Sequence, residues 1–192
     1  MNIKTVTGYL MILILSFLLH SIKAINNVFY ISLPILMLMF PIIVGHSVKI
    51  RFSMKDLLLG LIVSVIVLLP YNIIFSPSPL PLEGGGWGSS NFLYYIIFQL
   101  LIVSLPEEFF FRGFLQDSIG RDLKAVLTVS LLFSIAHLPK AFFLGDWISF
   151  LSFFPSLVMG WLYMKTNNIL PGTIFHFLAN VVYHNAIISI YR

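Results

Sequence analysis

The chain has 192 residues, of which 59% are hydrophobic and only 9% are charged, and its mean hydropathy is +0.99. A soluble domain is about 25% charged, so this composition excludes a soluble, a disordered or a disulfide-stapled secreted protein. The absence of cysteine excludes a thiolate nucleophile and cysteine-bound zinc. We therefore expect an all-α, polytopic membrane protein. Its net charge of +4 is typical of basic membrane loops, so we expect the lipid bilayer and no nucleic acid as a partner.

Apolar runs bounded by charges or by Gly and Pro predict where the chain crosses the membrane. At about 20 residues per crossing, the sequence predicts a single integral membrane domain, 1–192, forming a transmembrane helix bundle of about seven spans, with six to eight compatible with the pattern. Lys4 before the first run is typical of a signal peptide, but no small-residue cleavage site follows, so we predict an uncleaved span. The predicted spans are 8–22, 28–44, 57–75, 92–115, 125–138, 147–164 and 170–190.

The segment 76–90, rich in Pro, Gly and Ser, is predicted to be the one long loop. Orientation follows from Lys and Arg in the loops. Seven basic residues fall on the side of the N-terminus and three on the other side, Arg112 being left out because it lies within a span. The N-terminus is therefore predicted to be cytoplasmic.

Three charged residues break the pattern that keeps the others in loops or at span ends, and all three lie in the fourth span. Charges inside a membrane usually face the bundle interior, pair with one another and mark function. Glu108 and Arg112 are four residues apart, so they share a helix face in the favourable acid-before-base order. Glu107 points about 100° away from Glu108. We expect Arg112 to neutralise Glu108 and to leave Glu107 less paired, although a purely structural ion pair stays an alternative for Glu108 and Arg112.

Histidine residues supply the second set of intramembrane polar groups. His137 lies near the end of the fifth span, and His176 lies in the seventh span with Asn180 four residues later on the same face. At 1.5 Å per residue, these groups and Glu107 lie at compatible depths, which favours a common site over separate packing roles. His20 and His46 are expected to be solvated or interfacial at span ends, and His184 is a candidate supporting residue with packing as the preferred interpretation.

Three motifs on successive predicted spans resemble those of a known family. The segments 107–112 (EEFFFR), 133–137 (FSIAH) and 176–180 (HFLAN) fit the patterns EExxxR, FxxxH and HxxxN. In this order they resemble the motifs of the CPBP family, which groups the type II CAAX prenyl endopeptidases, bacteriocin-processing enzymes and Abi-type proteins. The resemblance covers roughly 92–182, which we expect to be the catalytic core, and the first three spans show no matching motif.

The resemblance implies an intramembrane endopeptidase that hydrolyses a peptide bond of a membrane-associated protein or peptide. It assigns Glu107 and His137 to water activation and His176 and Asn180 to stabilisation of the oxyanion, with Glu108 and Arg112 in support. Peptide hydrolysis needs both a base for water and donors aimed at the developing negative charge. This assignment agrees with Glu107 being the less neutralised carboxylate.

Cofactor, substrate and location are less constrained by the sequence. Glu and His side chains can bind zinc, but no HExxH pattern occurs, so we expect no cofactor, with zinc as the alternative. The resemblance implies a protein of the prokaryotic plasma membrane, and it leaves a prenylated protein, a bacteriocin precursor and a sorting signal open as substrates. The oligomeric state is not predicted.

Two other functions stay open at this stage. The first is a non-proteolytic membrane binding protein, such as a bacteriocin self-immunity factor, which the resemblance also implies. The second is a proton or cation pathway, because intramembrane Glu, His and Arg suit such relays as well.

Overall fold

The computed structural model describes residues 2–22, 31–75 and 90–190, and it describes their side chains except at 75, 90–92 and 184–190. Residues 76–89 of the predicted loop, the start of the second predicted span and the side chain of His184 therefore lie outside the described residues.

The described chain consists of helices joined by short connections and contains no strand. The helices are α1 (Ile3–Ser21), α2 (Ser32–Ile43), α3 (Met54–Phe75), α4 (90–119), α5 (Leu123–Ala136), α6 (Leu138–Leu144), α7 (Phe153–Thr166) and α8 (Ile169–Ile190). Helix α4 is continuous, and a 3₁₀ helix, Trp147–Ser152, precedes α7. Asn2 and Asp122 cap α1 and α5 by accepting the backbone N–H groups of Thr5 and Ala125.

Seven apolar helical segments correspond in order to the seven predicted spans. Five are long and apolar enough to cross a membrane by length and composition, and two, Ser32–Ile43 and Ile169–Tyr183, are shorter. The outer face of α3 is almost entirely aliphatic, with residues such as Ile62 and Ile66 more than half exposed. Such a face suits acyl chains, because lipid offers no partner for polar groups. The predicted all-α transmembrane bundle is thus confirmed.

The helix α4 departs from regular α geometry on both sides of Pro106. Two π-helical stretches, Phe98–Ser104 and Phe109–Gln116, flank the short α-helical stretch Leu105–Glu108. Proline lacks an N–H and its ring crowds the carbonyl four residues earlier. The wider π turn removes that conflict, and the Leu105 N–H donates to the carbonyl of Leu100, five residues back. π turns are frequent at functional sites, and this one ends beside the two glutamates.

The fifth predicted span, 125–138, was too short. The helical path bends at His137, whose N–H donates to the carbonyl of Ser134, and continues as α6. Pro139 is tolerated because the first residues of a helix have no N–H bonding partner within it. The apolar segment is therefore Leu123–Leu144, and His137 sits at the bend rather than at its end.

The core of the bundle surrounds α4. Packing is most extensive between α8 and α3, between α5 and α7, and between α7 and α8. Phe110, Phe111 and Phe114 are buried completely or nearly so, so their rings face the bundle and not the lipid. They join a core that also contains Tyr9, Ile12, Met37, Phe40, Leu115, Val129, Phe133, Met159, Leu162 and Phe175.

Candidate active site

Glu108 and Arg112 form a fully buried ion pair on α4. The Arg112 Nε lies 3.4 Å from the Glu108 Oε2, and both side chains have zero exposure to solvent. The i, i+4 pairing expected from the sequence is present even though a π turn begins between the two residues. Charges buried to this extent must be paired, because the cost of removing an unpaired charge from water is several kcal/mol.

Two neighbouring helices hold the Arg112 guanidinium in place. The Arg112 Nη2 donates to the Ser156 Oγ at 3.0 Å on α7, and the guanidinium carbon lies 5.1 Å from the centre of the Phe133 ring on α5. A guanidinium over an aromatic face gains a cation–π interaction. Arg112 therefore ties α4 to α5 and α7. Ser156 was not predicted from the sequence, where a serine on an apolar helix gives no signal of its partner.

His176 on α8 lies between the two carboxylates. Its Nδ1 is 3.3 Å from the Glu108 Oε1 and its Nε2 is 3.6 Å from the Glu107 Oε2. Two carboxylates and one guanidinium leave one negative charge, which a proton shared with the imidazole would balance. His176 thus joins the two glutamates across helices, as the common depth of these groups predicted.

Gly172 permits this close approach of α8 to α4. A Cβ atom at Gly172 would lie 2.6 Å from the Glu108 Oε2, so any other residue would displace the carboxylate. The residue is four positions before His176, on the same face of α8. Sequence reasoning missed Gly172, although a glycine one turn from a motif histidine signals close backbone approach.

Glu107 differs from Glu108 in its access to the surroundings. Its side chain is 20% exposed, whereas that of Glu108 has no exposure. In the described part of the chain its one ion-pair contact is to His176. Glu107 is thus the less paired of the two glutamates, as expected, and its ion-pair partner comes from α8.

His137 reaches the site through Phe133. Its Nδ1 lies 2.9 Å from the Phe133 carbonyl oxygen. The Phe133 ring lies 4.8 Å from the His137 ring, which is tilted against it, and 5.7 Å from the His176 ring, which it meets edge to face, both measured between ring centres. No ion pair joins His137 to either glutamate among the described side chains. An N–H at Nδ1 donating to that carbonyl leaves Nε2 as the free acceptor of the neutral ring.

Asn180 has a partner that the sequence did not suggest. Its Nδ2 donates to the Gln99 Oε1 at 3.3 Å, so the amide of Asn180 and the ring of His176 contact different groups despite sharing a helix face. Gln99 lies in the π-helical stretch Phe98–Ser104. An uncharged glutamine between Phe98 and Leu100 gave a weak signal, namely one polar residue in an otherwise apolar run.

Two further histidines, His20 and His46, have other contacts. His20 was expected to be solvated or interfacial, but its residue exposure is only 7% and its Nδ1 contacts the Ser16 carbonyl oxygen at 2.8 Å, so it is not solvated. His46 is partly exposed and contacts the Gly113 carbonyl and Asp117. Within the described chain, no three His, Asp or Glu side chains are arranged to hold a metal ion, and whether the site works without one stays a prediction.

The fold and the site together define a helical integral membrane protein with a buried Glu–Arg–His cluster between its spans. Residues 89–182, just under half of the chain, match the profile of the Rce1-like type II CAAX prenyl endopeptidases. The resemblance inferred from the three motifs is thereby confirmed, as is the assignment to the membrane. The family is one of CAAX-type intramembrane proteases.

Two bacterial proteins are similar to the chain. It is 29% identical over 137 residues to the uncharacterized protein YpbD of Bacillus subtilis (strain 168), a match spanning 68% of each chain. It is 33% identical over 87 residues to the UPF0177 protein YxdF of Lactococcus lactis subsp. lactis (strain IL1403), a match spanning 45% of this chain and 46% of that relative. No solved structure matches. Neither match supports a role in bacteriocin processing or immunity.

Proposed function

We propose that the chain is an intramembrane endopeptidase that hydrolyses a peptide bond of a membrane-associated protein or peptide with water activated by Glu107 and His137. The observation that carries the proposal is the unequal environment of two adjacent glutamates. Glu108 is fully buried and paired with Arg112, whereas Glu107 is partly exposed and its one ion-pair contact among the described groups is to the ring of His176. One carboxylate is thus free for chemistry.

Glu107 is the proposed general base. A water molecule between Glu107 and the free Nε2 of His137 would give up a proton to the carboxylate as its oxygen attacks the peptide carbonyl carbon. The same proton is then passed to the leaving amide nitrogen, so the carboxylate returns to its starting state. General base catalysis of this kind contributes about 10²- to 10⁴-fold to a rate.

His176 and Asn180 are the proposed donors to the oxyanion that forms on the carbonyl oxygen. A protonated imidazole can donate from both nitrogens, so His176 can keep its Nδ1 on Glu108 while its Nε2 turns from Glu107 to the oxyanion. Asn180 would supply an amide N–H, and donors of this type are worth about 3–4 kcal/mol each in the transition state. Glu108 and Arg112 would fix the position of His176 relative to α4.

The proposal also includes the expectations about domain organisation, orientation, cofactor and cellular location. The protein is one integral membrane domain with a catalytic core at 92–182, a cytoplasmic N-terminus and no cofactor, located in a prokaryotic plasma membrane. The family description names CAAX prenyl endopeptidases, which supports a substrate tethered to the membrane near the scissile bond. A prenylated peptide is therefore the first substrate class to test.

The test uses the full chain purified in detergent and a library of fluorogenic peptides, in which each sequence is present with and without a farnesyl anchor. We expect wild-type protein to cleave at least one anchored peptide and Glu107→Gln to reduce that cleavage by about 10³-fold. Gln has nearly the shape of Glu, so the variant should fold.

His46→Gln is the matched control, because it removes a partly exposed histidine that lies outside the site. It should keep wild-type cleavage. The proposal fails if no peptide is cleaved by the wild type, or if Glu107→Gln cleaves as fast as the wild type.

A further inference from the structure

An apolar groove lies on the outside of the bundle, away from the candidate active site. Helices α3, α5 and α7 enclose a volume of about 610 Å³ that opens to the surroundings. Neither the glutamates, Arg112 nor the motif histidines line it. Every lining side chain is apolar, and the lining residues are Val63, Val67, Leu123, Val126, Leu127, Leu157, Val158 and Trp161.

One end of the groove is basic. A Cβ atom at Gly160 would lie 3.0 Å from the Val126 Cγ1, so the start of α5 lies beside the end of α7. Lys124 and Lys165 are both exposed at that end. Lys165 is four residues after Trp161 and Lys124 is three residues before Leu127, so each lysine lies on the groove-lining face of its helix.

These two lysines have no counter-charge within the described chain, where neither takes part in an ion pair or a hydrogen bond. The neighbouring Arg121, by contrast, has Asp117 at 4.0 Å. The groove therefore has an apolar lining and, at one end, two ammonium groups whose charges are not neutralised. Basic pockets between membrane helices are typical sites for anionic lipid headgroups.

We propose that this groove binds an anionic phospholipid, with one acyl chain along α3, α5 and α7 and the phosphate between Lys124 and Lys165. The acyl chain of a neutral lipid would fit the apolar groove equally well, but its headgroup would leave the charges of the two lysines unbalanced. A second copy of the chain or an apolar peptide would have to bring its own acidic group to the same place. The bound lipid would brace α5, which carries His137, against α7, which carries Ser156.

Trp161 provides a direct probe, because it lines the groove and bromine atoms on an acyl chain quench tryptophan at contact. The chain has three tryptophans, so Trp87→Phe and Trp147→Phe leave Trp161 as the single fluorophore. The full chain is placed in phosphatidylcholine vesicles that contain an equal fraction of dibromo-phosphatidylglycerol or dibromo-phosphatidylcholine. We expect the anionic lipid to occupy the groove about tenfold more readily.

Matched variants test the two parts of the groove. Lys124→Gln with Lys165→Gln should reduce the preference to about twofold or less, whereas Lys4→Gln on α1 should leave it unchanged. Leu127→Phe should weaken quenching by both lipids by narrowing the groove. Leu131→Phe, at a similarly exposed position one turn further along α5, should not.

Equal quenching by the two lipids in the wild type would overturn the proposal, because the groove would then hold ordinary bilayer lipid. A preference that survives the double lysine substitution would also overturn it. Weak quenching by both lipids that grows as protein is diluted in the vesicles would assign the groove to a second copy. None of these readouts depends on proteolysis.

Discussion

The candidate site has two halves that differ in how firmly the protein holds them. In the first half, Glu108 and Arg112 have zero exposure and pair with each other, and Ser156 fixes the guanidinium. In the second half, Glu107 is 20% exposed and its one ion-pair contact in the described structure is to His176, while His137 has no ion-pair partner there. The same sequence element, a pair of adjacent glutamates, supplies one residue to each half.

This difference explains how a membrane protein can keep a reactive carboxylate. A lone charge within the bilayer is costly, but a neighbouring buried ion pair anchors the helix and brings His176 to both carboxylates. The Glu108–Arg112 pair holds the helices together at the cost of burying two charges. Glu107 and His137 are then available to contact water and substrate. The comparison predicts that substitutions in the first half act on stability and those in the second act on turnover.

The largest expected effect is loss of stability on breaking the buried pair. Arg112→Met leaves the Glu108 charge buried without a partner, which should cost about 3–5 kcal/mol and lower the thermal unfolding midpoint in detergent. Arg121→Met is the matched control, because Arg121 and Asp117 form an i, i+4 pair with Arg121 47% exposed. That change should cost less than about 1 kcal/mol. Equal losses would mean that the buried Glu108–Arg112 pair contributes no more to stability than an exposed ion pair.

A smaller effect is expected where α8 approaches α4. Gly172→Ala places a Cβ 2.6 Å from the Glu108 Oε2, so the carboxylate must move and the contact with His176 must change. We expect a cost of about 1–3 kcal/mol and a fall in cleavage rate among the molecules that remain folded.

Gly60→Ala is the control for this substitution. Its Cβ would lie 2.7 Å from the Pro171 carbonyl oxygen, at an equally tight contact that does not involve Glu108. It should destabilise the protein comparably and leave the cleavage rate per folded molecule unchanged. A loss of rate in both variants would show that helix packing alone controls turnover.

The smallest effect is expected at Gln99, which positions Asn180. Gln99→Leu removes the acceptor of the Asn180 Nδ2, so we expect kcat to fall about tenfold, the equivalent of about 1.4 kcal/mol, with little change in KM. Gln99→Glu keeps an acceptor oxygen and should restore most of kcat. If Gln99→Leu alters KM alone, or if Gln99→Glu gives no rescue, Gln99 does not act through Asn180.

Much of the fold could be predicted because the bilayer constrains the sequence so strongly. The charges confined to loops marked the limits of the seven apolar segments. The three charged residues inside a segment, Glu107, Glu108 and Arg112, marked the candidate site. The helix period then predicted the pairing of Glu108 with Arg112. These inferences need only local spacing and the cost of burying charge.

The features that could not be predicted depend on contacts between helices, which local spacing in the sequence does not encode. The i, i+4 rule placed His176 and Asn180 on one face, but it could not show that Asn180 meets Gln99, because the π turns near Pro106 rotate that part of α4. Burial of His20 and the role of Gly172 also arise from packing of distant segments. The extension of the fifth apolar segment beyond Leu138 to Leu144 was not predicted either.

The most direct test of the account compares the two adjacent glutamates in one experiment. Cleavage of the best anchored peptide and the thermal unfolding midpoint are measured side by side for Glu107→Gln and Glu108→Gln. The account predicts that Glu107→Gln loses about 10³-fold in rate with a nearly unchanged midpoint, and that Glu108→Gln lowers the midpoint but keeps measurable cleavage when folded. A Glu107→Gln variant that cleaves like the wild type would contradict it.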